Sequence, residues 1–553
     1  MDRKEWLDCY VDDFDTYERY ARRKDEKYER LAEVSLSAPT GTGQTASIPV
    51  LQQRSYTGKK PVIPSTLADT PCSDLGIQGL LEKLNTTLST SYTLFTPLVH
   101  SILGDCILQK WDFGTAHAYL RPFWDNDLTA IVDDLSERKV QDQKMRQDVV
   151  VEDKIICTHV PPRRVWDLCS NRVVPWWVPR QQPWGISHAW MNEEDREDVT
   201  TPINGCEWPV PIPKDTTLDL IRIEMLNLGA EYVWLDVLCL RQKGGIRENL
   251  REEEWKVDVP TIGFVYRSAT VACYLSGLGR PLSSDADSLE SDQCCWNPII
   301  GGYTGDEELR VKFEKQLLSL SQLWHNTGNM YDVLSEMQRR VSTHPVDKIA
   351  GMAYLLFSES IPAYYGTQSE EDAWMALMDD VASMADLLFL HFESGITSWR
   401  PTWKQVTTGT LRPKPCSDNT TDMRLGWIQQ SVIEGVKTDS FNGGYIIESA
   451  LVRGLSNGDS QGHERHGKLI VEDDTGTEHT IKIVAYHQCP IPDGSYTLLG
   501  TQPWNSRVLY WVVRWRLADQ RFKKLSVFET YDDGKVLFVL WSIATTGRIT
   551  YLA

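Results

Sequence analysis

Residues Tyr232-Val233-Trp234-Leu235-Asp236-Val237-Leu238-Cys239-Leu240 are apolar at every position except Asp236. So continuous a run suits a strand covered on both faces, as in the middle of a parallel sheet, because a half-exposed strand would alternate apolar with polar residues. The single acid inside it needs hydrogen-bond or charge partners if it is to stay ionised. Upstream, Gly185-Ile186-Ser187-His188-Ala189-Trp190 reads as a short strand ending in small and polar residues. Asp215 or Thr216 then caps a helix whose Leu218, Ile221, Met225 and Leu228 share one face, with Gly229 suited to its stop. Downstream, Trp255, Val259, Ile262 and Tyr266 recur at helical spacing across Pro260, which is expected to kink or divide the helix. Thr270 to Leu275 supplies a third strand before the turn Gly277-Leu278-Gly279-Arg280-Pro281. The alternation βαβαβ predicts an α/β domain, a parallel sheet with right-handed crossovers and flanking helices, over residues 160–300.

The chain has 553 residues, too many for one ordinary domain. Over residues 1–34, Trp6, Tyr10, Phe14 and Tyr17 fall on one face of an amphipathic helix, able to pack on the protein's own body or to dock a partner. Ser, Thr, Pro and Gly dominate residues 35–74, which read as a flexible linker. Residues 75–150 read as helical, with Leu80, Leu81, Leu84 and Leu88 at helical spacing and a charged, solvated finish around Ser136 to Asp148. Helical patterns return over 310–395. Residues 420–553 form a further module, in which the period becomes two from Gly443 onward, with runs at Tyr445 to Leu451, Lys468 to Val471, Thr480 to Tyr486, Arg507 to Arg516, Leu525 to Thr530 and Val536 to Trp541. Asp474-Thr475-Gly476 and Asp533-Gly534 are hairpin turn signals, so an antiparallel β-rich C-terminal module is expected.

Composition excludes several classes. A net charge of -20 opposes a phosphate-backbone footprint, so nucleic acid is not an expected partner. The longest apolar candidate for a membrane span, Ala385 to Phe392, is far too short. The charged opening Met-Asp-Arg-Lys-Glu lacks the apolar core of a signal peptide, and a cytoplasmic location is expected. Twelve cysteines without a Cys-x-x-Cys pair signal neither a zinc site nor a disulfide framework, and no metal is expected.

Residues 165–300 resemble the heterokaryon incompatibility (HET) domain family of fungal non-self recognition. Ser187-His188-Ala189-Trp190 matches that family's Ser-aromatic-x-Trp pattern with His in the aromatic place. Trp234-Leu235-Asp236-Val237-Leu238-Cys239-Leu240-Arg241-Gln242 closely matches its Trp-apolar-Asp-x-x-Cys-apolar-x-Gln block, and Tyr266-Arg267-Ser268-Ala269 matches the Tyr-x-x-Ala that ends the next helix. Ser342 to Lys348 and Trp399-Arg400-Pro401-Thr402-Trp403 also look like recurrent segments of such proteins. The third block, a Trp-rich helix ending in Gln-Glu, is incomplete here: Cys294-Cys295-Trp296 runs directly into Asn297-Pro298-Ile299-Ile300-Gly301-Gly302. The resemblance implies a cytoplasmic protein of incompatibility and cell-death signalling that acts through regulated contacts with other HET or immune-signalling proteins or with itself. HET domains also look distantly like TIR domains, some of which cleave the nicotinamide N-glycosidic bond of NAD with the help of a Glu. That implies a TIR-like NAD glycohydrolase as one alternative, with NAD as substrate or ligand and Glu307 and Glu308 as the nearest stand-ins for the absent Glu. A catalytically inactive regulatory paralogue is another. The missing block favours a non-enzymatic role that requires no cofactor.

Asp236 is read as terminating the strand, at its carboxyl end, where ligands of open α/β sheets bind. With Arg241 and Gln242 just after it, and Ser187, His188 and Trp190 on the neighbouring strand, it makes up the candidate cleft. Ser187 and His188 are adjacent on a strand and point to opposite faces, which opposes a nucleophile and base pair. Gly277-Leu278-Gly279 lacks the Lys-Ser/Thr of a phosphate loop and reads as a turn.

Overall fold

The computed structural model describes residues 31–45, 48–125, 131–188, 192–268, 270–274, 299–301, 330–340, 344–356, 360–379, 384–390, 399–409, 427–433, 436–442, 444–457, 464–500, 508–517, 521–531, 536–546 and 549–552, with isolated positions 4, 5, 28, 128, 278 and 342. The chain divides into two units, residues 1–321 with 363–365 and residues 322–362 with 366–553. The aromatic stripe Trp6, Tyr10, Phe14 and Tyr17 lies outside the described residues.

In the first unit, residues 35–74 are not the flexible linker expected of them. Strands β1 (Val34–Thr45) and β2 (Ile48–Gly58) form an antiparallel hairpin. The hairpin packs Leu36, Ala38 and Tyr56 into the core of the α/β sheet. The segment after it is anchored: Val62 and Ile63 are buried, and the Ile63 amide donates to the Cys169 carbonyl at 2.9 Å. Buried Arg222 donates to the carbonyls of Ile63, Leu168 and Cys169 at 2.7, 2.7 and 3.0 Å. Tertiary burial overrides the weak strand propensity of a Ser/Thr/Gly/Pro-rich segment. Helices α1 (Cys72–Leu88), α2 (Val99–Leu108) and α3 (Phe113–Leu120) follow, sharing a core that includes Leu80, Leu84, Leu103 and Phe113. Helix α4 (Ile131–Asp148) buries Ile131, Met145 and Arg146 and leaves most of its charged face in water.

The sheet of this unit contains β3 (Arg164–Asp167), β4 (Arg172–Pro175), β5 (Trp184–His188), β8 (Tyr232–Leu235), β9 (Val271–Tyr274) and β10 (Ile299–Gly301), in the spatial order β10-β9-β5-β8-β3-β4. Between β5 and β8 the chain makes a hairpin, β6 (Arg196–Val199) with β7 (Val210–Pro213), and then helix α5 (Leu218–Asn227). The side chain of Thr217 caps α5, one residue after the expected Thr216, by accepting from the Leu220 amide at 3.2 Å. The pairs β8/β5, β5/β9 and β9/β10 are parallel, whereas β3/β4 and β8/β3 are antiparallel. Two features differ from expectation. The buried run ends as a strand at Leu235 and turns at once into the single helical turn α6 (Asp236–Cys239). Residues 299–301, which follow the incomplete third block, form a fourth parallel strand beside β9. Pro260 divides the next helical segment into α7 (Asn249–Asp258) and α8 (Ile262–Ser268).

The second unit opens with helices α9 (Met330–Arg339), α10 (Pro345–Leu355), α11 (Glu370–Met378) and α12 (Trp403–Thr408). Pro345 starts α10, and Thr402 with Gln405 forms a capping box at α12. The intervening Arg400 pairs with Asp379 at 2.5 Å and Asp439 at 2.9 Å. Strands β11 (Trp427–Ile433) and β12 (Val436–Asn442) make a hairpin. Strands β13 (Tyr445–Arg453), β14 (Arg465–Glu472), β15 (Glu478–Ala485), β16 (Gly494–Gly500), β17 (Val508–Arg516) and β18 (Phe522–Tyr531) form an antiparallel barrel, ordered β14-β15-β18-β17-β16-β13 and closed by β13 on β14. Asp473 organises the β14/β15 turn by accepting from the amides of Thr475 and Thr477 at 2.9 and 3.0 Å, with Gly476 at φ +79°. Asp533-Gly534 lies outside the described residues. Val536 to Trp541, expected as a strand, belongs instead to helix α13 (Val536–Ile543). Val536, Val539, Leu540 and Ile543 recur at helical spacing and pack on the barrel core, while Phe538 is 76% exposed.

Candidate functional site

The parallel pairing of β5 with β8 sets Leu235, the last residue of β8, beside Ile186, and β5 runs on to His188. Beyond Leu235 the backbone turns, and Asp236 Oδ1 accepts from the Val237 amide at 2.7 Å, an anchor for the first turn of α6. The same oxygen lies 2.9 Å from His188 Nε2 at the end of β5. Oδ2 has no partner among the described residues. The His188 side chain is 6% exposed and that of Asp236 21%, so the acid is the half of the pair that meets solvent. On the other side of β5, Tyr274 of β9 is level with His188. From β5 the chain moves to β8 on one side and then to β9 on the other, so the strand order reverses at β5. Ligand crevices of open α/β sheets lie beyond the carboxyl ends of the strands at such a reversal.

The six residues expected to line a cleft separate into distinct roles. His188 and Asp236 meet. Ser187 is exposed and makes no hydrogen bond to His188, as alternation along a strand requires. Gln242 donates its amide to the carbonyls of Asp236 and Leu240 at 3.2 and 3.0 Å, tying the loop back onto α6. Arg241 does not line the cleft. It is 1% exposed, bonds Glu254 through Nε and Nη2 at 3.2 Å, reaches Glu207 at 3.0 Å and lies over the Trp208 ring at 5.0 Å. Trp190, Glu307 and Glu308 lie outside the described residues.

Burial pushes the Glu254 carboxyl up, and the guanidinium groups of Arg164, Arg163 and Arg241 more than reverse this, leaving it below its ordinary value. Glu207 and Glu254 were not legible as Arg241's partners, because nothing local links three positions on separate elements. Burial drives the Cys239 thiol up to about 12 and the Cys273 thiol up to about 11, so neither is a ready thiolate nucleophile. Tyr266 donates to the Ile186 carbonyl at 3.3 Å and is kept neutral by burial and by the Asp236 carboxylate. No group of His, Cys, Asp and Glu among the described residues is arranged to hold a metal ion.

These features define an α/β domain with a mixed, partly parallel sheet and a carboxylate and imidazole joined at the ends of adjacent parallel strands. Residues 184–297 match the family described as Heterokaryon incompatibility protein (HET), and the chain therefore carries a HET domain. The match begins at the first residue of β5 and ends two residues before β10. No curated protein and no solved structure matches the chain. No helix among the described residues is long and apolar enough to cross a membrane.

Proposed function

We propose that the chain is an intracellular fungal HET-domain protein that acts in non-self recognition and incompatibility cell death through regulated contacts with other proteins. The match over residues 184–297 carries this reading. The geometry supports it, because the Trp234 to Gln242 block spends most of its polar groups on building a corner. Arg241 is used up by Glu207 and Glu254, Gln242 by two carbonyls, and Cys239 is a buried protonated thiol. What remains presented is the Asp236 carboxylate braced by His188.

That same carboxylate supports a second reading, a TIR-like NAD glycohydrolase. A carboxylate oxygen without a partner among the described residues, at a strand end where the sheet reverses, is suited to accept from ribose hydroxyls and to stabilise developing positive charge at the sugar. Inducible expression of the full chain in hyphae, with viability and cellular NAD followed together, separates the readings. Death at constant NAD supports action through protein contacts, whereas a fall in NAD that depends on Asp236 supports the glycohydrolase. Healthy cells containing folded protein overturn both.

A further inference from the structure

Away from the strand-end site, an open cavity of about 800 Å³ lies between α2, α3 and α4 and the β3/β4 hairpin. Its volume falls in the range of small-molecule sites. One wall is aromatic. Trp111 and Tyr119 are 4.7 Å apart between centroids and tilted by 35°, and Trp177 meets Tyr119 edge-on at 6.0 Å. The charge of the lining runs against that of the chain: four cationic side chains face two carboxylates, in a protein whose acids outnumber its bases by 77 to 57. The three arginines among them are held by Asp258, Glu254 and Glu207, none of which lines the cavity, and Asp142 of the lining is held by Arg146. Lys139 and Asp105 remain, exposed, with no hydrogen bond or ion pair from their side chains among the described residues.

We propose that this cavity binds a flat aromatic anion. The ring rests against Trp111, Tyr119 and Trp177, the anionic group meets Lys139, and Asp105 accepts from a hydroxyl or amine on the ligand. Aromatic faces hold a planar ring of any identity, and a charge-assisted contact fixes its orientation. The ligand bridges two walls, one of them α4, a helix that buries little of its own surface. Binding therefore holds α4 against the hairpin that joins the sheet through β8.

Two probes test this on the full chain: adenosine monophosphate, a ring with a phosphate, and 8-anilinonaphthalene-1-sulfonate, a ring with a sulfonate. Calorimetric titration is expected to give one site for at least one of them, with slowed amide exchange over residues 131–148. Lys139→Glu, a surface change that leaves the fold intact, and Trp177→Ala are each expected to weaken binding by about tenfold or more, while Asp236→Asn leaves it unchanged. Binding of the nucleotide alone identifies a phosphate ligand, and binding of the sulfonate alone a weaker-field anion. Failure of both probes overturns the proposal, as does binding at several sites that ignores Lys139→Glu.

Discussion

The Nε2 of His188 and the Oδ1 of Asp236 lie 2.9 Å apart, joining the carboxyl ends of two adjacent parallel strands across 48 residues of sequence. A charge-assisted bond of this kind contributes about 1.5–3 kcal/mol when partly buried. In a double-mutant cycle of His188→Ala and Asp236→Ala, a coupling of about 0.5–3 kcal/mol is expected from chemical denaturation. A coupling of zero would show that the two side chains do not depend on each other in solution.

Arg241 and its two carboxylates make a separate prediction. Removing Arg241 leaves Glu254 with Arg164 and Glu207 with Arg247, so the cost is that of its buried charge-assisted hydrogen bonds, about 1.5–3 kcal/mol. Arg241→Ala is therefore expected to lower stability more than Gln242→Ala, whose lost bonds are neutral and only partly buried. Equal urea midpoints for the two variants would contradict the burial of Arg241.

Lys524, on β18, donates to the carbonyls of Leu387 and Leu390 at 3.3 and 2.5 Å, and burial pushes its amine from 10.5 down to about 7. Between those values the unfolded chain holds a proton that the folded chain releases, so folding gains stability as pH rises from about 7 to 10.5. Below about 7 the amine is charged in both states and its burial penalty is fully present. Measured against Lys524→Met, the wild-type chain is expected to gain stability over that window. Parallel pH profiles for the two proteins would refute the assignment.

Helix α13 is tested by two neighbours of its sequence. Phe538 is 76% exposed and Leu540 1% exposed. A strand would place both on one face, whereas a helix puts them about 200° apart. Leu540→Ala is expected to cost about 2–5 kcal/mol and Phe538→Ala within about 0.5. Comparable losses in the denaturation midpoint would point back to a strand.

Much of the α/β domain was legible because its signals are local. The buried run announces β8, Pro260 divides α7 from α8, and Gly229, at φ +100°, follows the end of α5. What escaped depends on contacts distant in sequence. The β1/β2 hairpin exists because Leu36, Ala38 and Tyr56 find the core beside α5, which its Ser- and Gly-rich composition conceals. The apolar run of α13 satisfies either period until the barrel selects one face. At the site, His188 and Asp236 were each visible as candidates, but their pairing depends on the register of β5 with β8. Arg241 looked like a loop residue because Glu207 and Glu254 are brought to it by other elements.

On the function proposed above, the HET domain acts through the Asp236 carboxylate at the end of β8. The most direct test is hyphal viability after induced expression of the wild-type chain and of Asp236→Asn, at matched abundance of folded protein. Death is expected with the wild-type chain and survival with the variant, which keeps the shape of the side chain and removes its charge. Equal killing by both would contradict this role of Asp236.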